Sequence, residues 1–182
     1  MNGIEKTAKK LNNELKSTYG GTRDYYLALA YLMQEFGIEQ SKALNQIAFN
    51  QPAYGINAFH FDKESRNFYL FIISWSSKTN QINSALHQFI DTAMEKIFFF
   101  KKDSGNTDIF YNQITSCLQE NNALVVQLHL RILFAGPLHD LMSNKSINDL
   151  LFVMDQRKYI IDRVFRGRFL RFLFDQRSIM DI

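Results

Sequence analysis

A chain of 182 residues that is 46% hydrophobic and has only two prolines carries enough apolar mass for a core, which excludes disorder as its main state. Its 21 Lys and Arg against 18 Asp and Glu leave a formal charge of +3, too small a bias to name nucleic acid as a partner. The single Cys117 excludes an intramolecular disulfide framework and any cysteine-cluster zinc site. One cysteine makes a reducing, cytoplasmic setting the simplest reading, and lysines and glutamates spread through residues 1–16 give no expectation of a signal peptide. The longest apolar runs, residues 97–100 and 130–135, are too short to cross a bilayer.

In chain order, Ile4, Ala8, Leu11 and Leu15 recur at helical spacing and predict an amphipathic helix stopped by Gly20-Gly21. Thr22 is placed to cap a second helix, whose apolar positions Tyr26, Leu29, Ala30, Met33 and Phe36 lead to a stop at Gly37. A shorter helix is expected over residues 40–49, ended by Pro52. The period then drops to two. Ala58-Phe59-His60-Phe61 and Phe68-Tyr69-Leu70-Phe71-Ile72-Ile73 flank the polar turn 62–67 and predict a β-hairpin, its second strand apolar on both faces.

Residues 80–99 predict one long helix through Ile82, Leu86, Phe89, Ala93 and Ile97, and a further helix follows over 108–119. A strand is expected at 123–135 before Gly136-Pro137, then a helix at 147–165 capped by Ser146, then a strand at 168–174. Helix, hairpin, helix, strand, helix, strand is an α/β order, read as a mixed sheet flanked by helices. Residues 1–50 form its helical N-terminal part and residues 51–182 its α/β core, in a single compact domain.

There is no phosphate-binding glycine loop, and His60, His87, His129 and His139 are scattered without a helical pair, so no metal site is assigned. The informative stretch is Tyr54-Gly55-Ile56-Asn57-Ala58-Phe59-His60-Phe61-Asp62, followed after the turn by Phe68-Tyr69-Leu70-Phe71-Ile72-Ile73-Ser74-Trp75. It resembles the nuclease core of abortive-infection phage-resistance proteins, within the PD-(D/E)xK restriction-endonuclease-like superfamily. The likeness covers about half of the chain. It implies a restriction-endonuclease-like fold with N-terminal helices.

In such proteins an aspartate on the first strand and an acidic or amide residue two before a lysine on the next hold Mg²⁺ at a phosphodiester. The metal polarises the phosphate and lowers the pKa of the attacking water, and the lysine adds positive charge. The resemblance carries the aspartate position onto Asn57, the acid position onto Ile72 and the lysine position onto Ser74. Asn57 keeps a neutral carbonyl oxygen, Ile72 has no ligand atom and Ser74 has no charge. The resemblance therefore implies a catalytically degenerate nuclease-like domain that needs no cofactor.

Displaced ligands are the alternative, with Mg²⁺ as cofactor: Asp62 beyond the first strand, Lys78 beyond the second, and Glu35 on the second helix, where some superfamily members place an acid. The plainer reading puts Asp62 in a solvated turn and Glu35 on a solvated helix face. Residues 151–182 hold seven basic residues against four acidic ones, an excess equal to that of the whole chain. Within them Arg166, Arg168 and Arg171 alternate with Phe165, Phe169 and Phe172 and are the candidates for contact with DNA or RNA phosphates, against a solvated strand face as the plain alternative. Seventeen Phe and eight Tyr offer a further class of function, an apolar surface for a homodimer or a larger protein partner. No membrane partner is expected.

Overall fold

The computed structural model describes residues 3–49, 51, 54–98, 109–165 and 171–179. It is a mixed α/β structure: a four-stranded sheet with helices on both faces. The amphipathic N-terminal segment forms α1 (Gly3–Tyr19), which lays Ile4, Ala8 and Leu11 on α2 (Arg23–Glu35). Helix α2 is buried along Tyr26–Leu32 because it lies between α1 and the sheet. A short α3 (Gln40–Leu44) follows, and the chain then enters the hairpin β1 (Ala58–Asp62) and β2 (Asn67–Ser74).

From the end of β2 the chain runs through α4 (Thr79–Gln88), a π-helical turn (Phe89–Ala93), α5 (Met94–Phe98) and α6 (Ile109–Asn121) to β3 (Gln127–Phe134). It then passes through α7 (Leu138–Met142), α8 (Lys145–Gln156) and α9 (Tyr159–Val164) to β4 (Arg171–Ser178). The strand order is β1-β2-β3-β4, with the hairpin antiparallel and β2, β3 and β4 parallel. Parallel neighbours need long crossovers, and both crossovers place their helices on the same face.

Alternation along the strands divides the apolar residues between two cores. Phe68, Leu70, Ile72, Leu128, Leu130 and Ile132 meet the crossover helices, while Tyr69, Phe71, Ile73 and Leu133 meet α1 and α2. Full burial of each large apolar side chain contributes roughly 1.5–3 kcal/mol, so β2, buried from Phe68 to Ser74, is the anchor of the sheet.

Tertiary contacts redraw several element ends. The helix expected over 40–49 stops at Leu44, because Ile47 bridges to Ala58 and the Phe59 N–H donates to the Gln46 carbonyl. The long helix expected over 80–99 contains the π turn, within which Phe89, Ile90 and Ala93 all face inward. The helix expected at 147–165 breaks after Gln156; Arg157 turns there and donates from Nη1 to the Ile90 carbonyl of the π turn at 3.0 Å. Asn144 caps α8 instead of Ser146, its Oδ1 accepting the Ile147 N–H at 3.1 Å. Thr22 occupies the cap position of α2 but makes no capping bond.

Strand β4 runs to Ser178, past the expected 174, because it pairs along the whole length of β3. Its polar second half escaped the apolar alternation, since Asp175 and Arg177 point at charges and not at a core. Among the described residues no helix is long and apolar enough to cross a membrane.

Candidate functional site

The sharp turn before β1 sets the first wall of a cleft. Tyr54 and Gly55 take positive φ of 37° and 90°, and a Cβ on Gly55 would collide with the Ala85 carbonyl oxygen of α4. Only glycine lets this turn lie against the helix backbone. Asn57 comes next on the cleft wall, its N–H donating to the Phe71 carbonyl at 2.8 Å and its own carbonyl accepting the Ala48 N–H at 2.9 Å. Its side-chain Oδ1 accepts the Ile73 N–H at 2.6 Å.

Asn57, Ile72 and Ser74 line one cleft of about 330 Å³ at this end of the sheet. Ile72 is fully buried. The Ser74 hydroxyl donates to Gln81 Oε1 at 2.7 Å, tying the strand end to α4. The three residues thus meet, and each is engaged in holding the fold: one amide oxygen on a backbone N–H, one apolar side chain in the core, one hydroxyl on a helix side chain.

The carboxylate in this cleft is Asp24, from the first turn of α2. Its Oδ1 accepts the Trp75 N–H at 2.6 Å, and the Thr22 hydroxyl donates to its Oδ2 at 3.4 Å. Burial raises the Asp24 carboxyl above its ordinary value, and these bonds offset only part of that. Sequence reasoning passed over Asp24 because an acid in a first helical turn is already explained by the helix dipole. No pattern in the chain joins it to Ser74; Trp75, fifty-one residues away, does so through space.

The proposed displaced residues do not gather here. Lys78 is exposed at the cap position of α4, its backbone N–H on Ser76 Oγ at 3.1 Å. Asp62 ends β1 five residues from Asn57, ~17 Å along the strand, and closes the hairpin turn by accepting from the Glu64 N–H and the Ser65 hydroxyl. Its partial burial works upward on the carboxyl, but these bonds prevail and leave it below its ordinary value. Glu35 is at the opposite end of α2 from Asp24, ~16 Å along the helix axis.

Mg²⁺ does not fit the donors present in the cleft. It prefers several anionic oxygens in a near-octahedral set, whereas Asn57 Oδ1 is taken by a backbone N–H, Ile72 has no ligand atom and Asp24 is a lone carboxylate among the described lining residues. Among the described residues no three His, Cys, Asp or Glu side chains stand close enough to share a metal ion.

Ser84 and Gln88 line both this cleft and a larger groove of about 630 Å³ between α4 with its π turn and the start of α8. Across the groove Asn144 Nδ2 donates to Thr79 Oγ1 at 3.1 Å, and Asn83 Nδ2 donates to the Ser146 hydroxyl. All of its described lining side chains are capable of hydrogen bonding, and Asp91 carries the carboxylate. Among the described residues neither space is lined by a lysine or an arginine.

The charges concentrate on the other face of the sheet. Arg131, 4% exposed at the middle of β3, holds Asp175 on β4 through Nε and Nη2 at 2.6 Å each. Its Nη1 donates to the Tyr31 hydroxyl at 2.9 Å and lies 3.5 Å from Glu35, and its guanidinium stacks 4.6 Å from the centre of the Tyr69 ring. Arg177 completes the group through Glu35 at 2.8 Å and Asp175 at 3.4 Å. Burial pushes the Tyr31 hydroxyl up to about 12, against the pull of both arginines. Glu35 is therefore a member of a structural charge cluster.

Of the arginines expected to meet phosphate, Arg166 and Arg168 lie outside the described residues, as does the side chain of Arg171, which opens β4. The neighbouring Arg157, Lys158 and Arg177 bond within the molecule. Comparison with known proteins finds no matching family model, no matching curated protein and no matching solved structure.

Proposed function

We propose that this chain is a catalytically degenerate nuclease-like domain, related to the phage-defence nucleases it resembles, and that it works by binding and not by hydrolysis. The observation that carries the reading is the convergence of Asn57, Ile72 and Ser74 on one cleft, with the Asn57 oxygen committed to the Ile73 N–H at 2.6 Å. Where such a fold would present an anionic metal ligand, this chain presents a backbone brace. The cleft and the adjoining groove remain open and rich in hydrogen-bonding groups.

Nucleic acid enters this reading only through Arg166, Arg168 and Arg171, because the described walls of the two spaces bring no cation to a phosphate. The test is incubation of the purified chain with supercoiled plasmid and with single-stranded RNA in Mg²⁺ or Mn²⁺. No cleavage is expected; cleavage that disappears in Asp24→Asn would overturn the reading.

A second reading, a protein-interaction module, has its own observation. Phe152 is 65% exposed beside Val153 on α8, and Tyr159 is 56% exposed on α9. Isolated apolar residues are common on surfaces, but these three occupy one short stretch. Solution mass decides: a concentration-dependent dimer lost in Phe152→Ser supports this reading, and a monomer at all concentrations removes self-association from it.

A further inference from the structure

The groove along α4 is chemically one-sided. Its walls present amides and hydroxyls from Asn80, Asn83, Ser84, Gln88 and Thr92 with the imidazole of His87, and Asp91 adds a negative charge. Ser84 and Gln88 also line the neighbouring cleft, which holds Asp24 with Tyr25 beside the carboxylate. Both carboxylates are without an ion pair among the described residues, and Asp24 is half-buried with a backbone N–H as its main partner.

This combination narrows the ligand. A phosphate or carboxylate group would meet two negative charges and no described lysine or arginine. A nucleobase would find a single imidazole, His87, and no second aromatic ring to sandwich it among the described walls of the larger groove. A cation is favoured at each end, by Coulomb attraction at Asp91 and by attraction to Asp24 and the neighbouring aromatic ring at the other. Between them, N–H donors would find amide and hydroxyl oxygens. Ser84 and Asp91 stand ~10 Å apart along the helix, with the width of the cleft to be added, so a single ammonium does not span the site.

We propose that the groove and the adjacent cleft act together to bind a linear aliphatic polyamine across Ser84 and Gln88, with one terminal ammonium at Asp91 and the other at Asp24. The inference rests on reading the cleft as a binding site without hydrolytic chemistry, and it adds the class of ligand. General attraction of a polycation does not account for such binding, because the chain itself carries a formal charge of +3.

The experiment is isothermal titration of the full chain with spermidine at low and at physiological salt, with the shorter diamine putrescine as comparator. Saturable one-to-one binding is expected, at least tenfold tighter for spermidine than for putrescine, and weakened at least tenfold by Asp24→Asn and by Asp91→Asn separately. Thermal melts of both variants establish that they fold. Absence of saturable binding at low salt overturns the proposal, as does binding that both variants retain or that putrescine matches. Those failures leave the non-hydrolytic reading standing, because the plasmid and RNA assays test that reading without any polyamine.

Discussion

Helix α2 carries Asp24 in its first turn and Glu35 at its last residue, and the two carboxylates meet opposite surroundings. Glu35 sits within 2.8 Å of Arg177 and 3.5 Å of Arg131, in a cluster that fastens β4 and α2 to the middle of the sheet. Asp24 faces an open cleft with a backbone N–H and a hydroxyl for company. The difference separates two uses of charge. At Glu35 the ionic groups hold structure, so losing one strands its partners; at Asp24 a carboxylate is kept beside a cavity with no counter-charge among the described residues, which is costly for folding.

The largest expected effect comes from breaking the charged end. Arg131→Met keeps the apolar stem and removes the cation from Asp175, Glu35 and Tyr31, and a buried charge partner lost in this way costs about 3 kcal/mol. Urea denaturation measures it, and a loss below about 1 kcal/mol would show that Arg177 alone suffices. Gly55→Ala strikes the other end, forcing a Cβ into the Ala85 carbonyl at a φ of 90°. Strain of that kind costs about 1–3 kcal/mol, and the variant should also weaken any ligand of the cleft, since Gly55 forms part of its wall.

Acid sharpens the comparison. His60, whose ring lies 4.5 Å from that of Phe36 just past Glu35, is pushed by burial from its ordinary 6.5 down to about 4, with Asp62 pulling weakly the other way. The unfolded chain therefore takes the proton first. The stability held by the neutral His60 ring is fully present above pH 6.5 and is lost as the pH falls toward 4. His129 is shifted in the same direction, by burial and then by the charge of Arg131, and adds to the loss. Urea midpoints at pH 7, 5.5 and 4.5 should fall in that order, and His60→Gln should flatten the fall.

Asp24 has the reverse sign. Its folded carboxyl is raised above the unfolded value, so its charge opposes folding increasingly as the pH climbs through that interval. Asp24→Asn keeps an oxygen for the Trp75 N–H and removes the desolvated charge. This is the smallest expected change, within about 0.5 kcal/mol at pH 7, and a large destabilisation would assign Asp24 to structure alongside Glu35.

Periodicity made most elements legible. The alternation around the turn at 62–67 marks the hairpin, and the Ile82, Leu86, Phe89, Ala93 and Ile97 stripe marks the buried side of α4, the π turn and α5. The π turn itself was not legible, because a one-residue widening leaves the same residues apolar. Strand β4 was seen only in its apolar half. Asp175 and Arg177 read as solvent residues until Arg131, forty-four positions upstream of Asp175, is set beside them by the parallel register.

The sequence by itself determined the class of the fold, the place of the hairpin and the uncharged character of Asn57, Ile72 and Ser74, since each depends on local pattern or on the chemistry of single side chains. Tertiary structure alone decided that Asp24 and not Glu35 enters the cleft. The two residues occupy one helix, and what surrounds each is set by strands far away in the chain, through backbone pairing that no local spacing encodes.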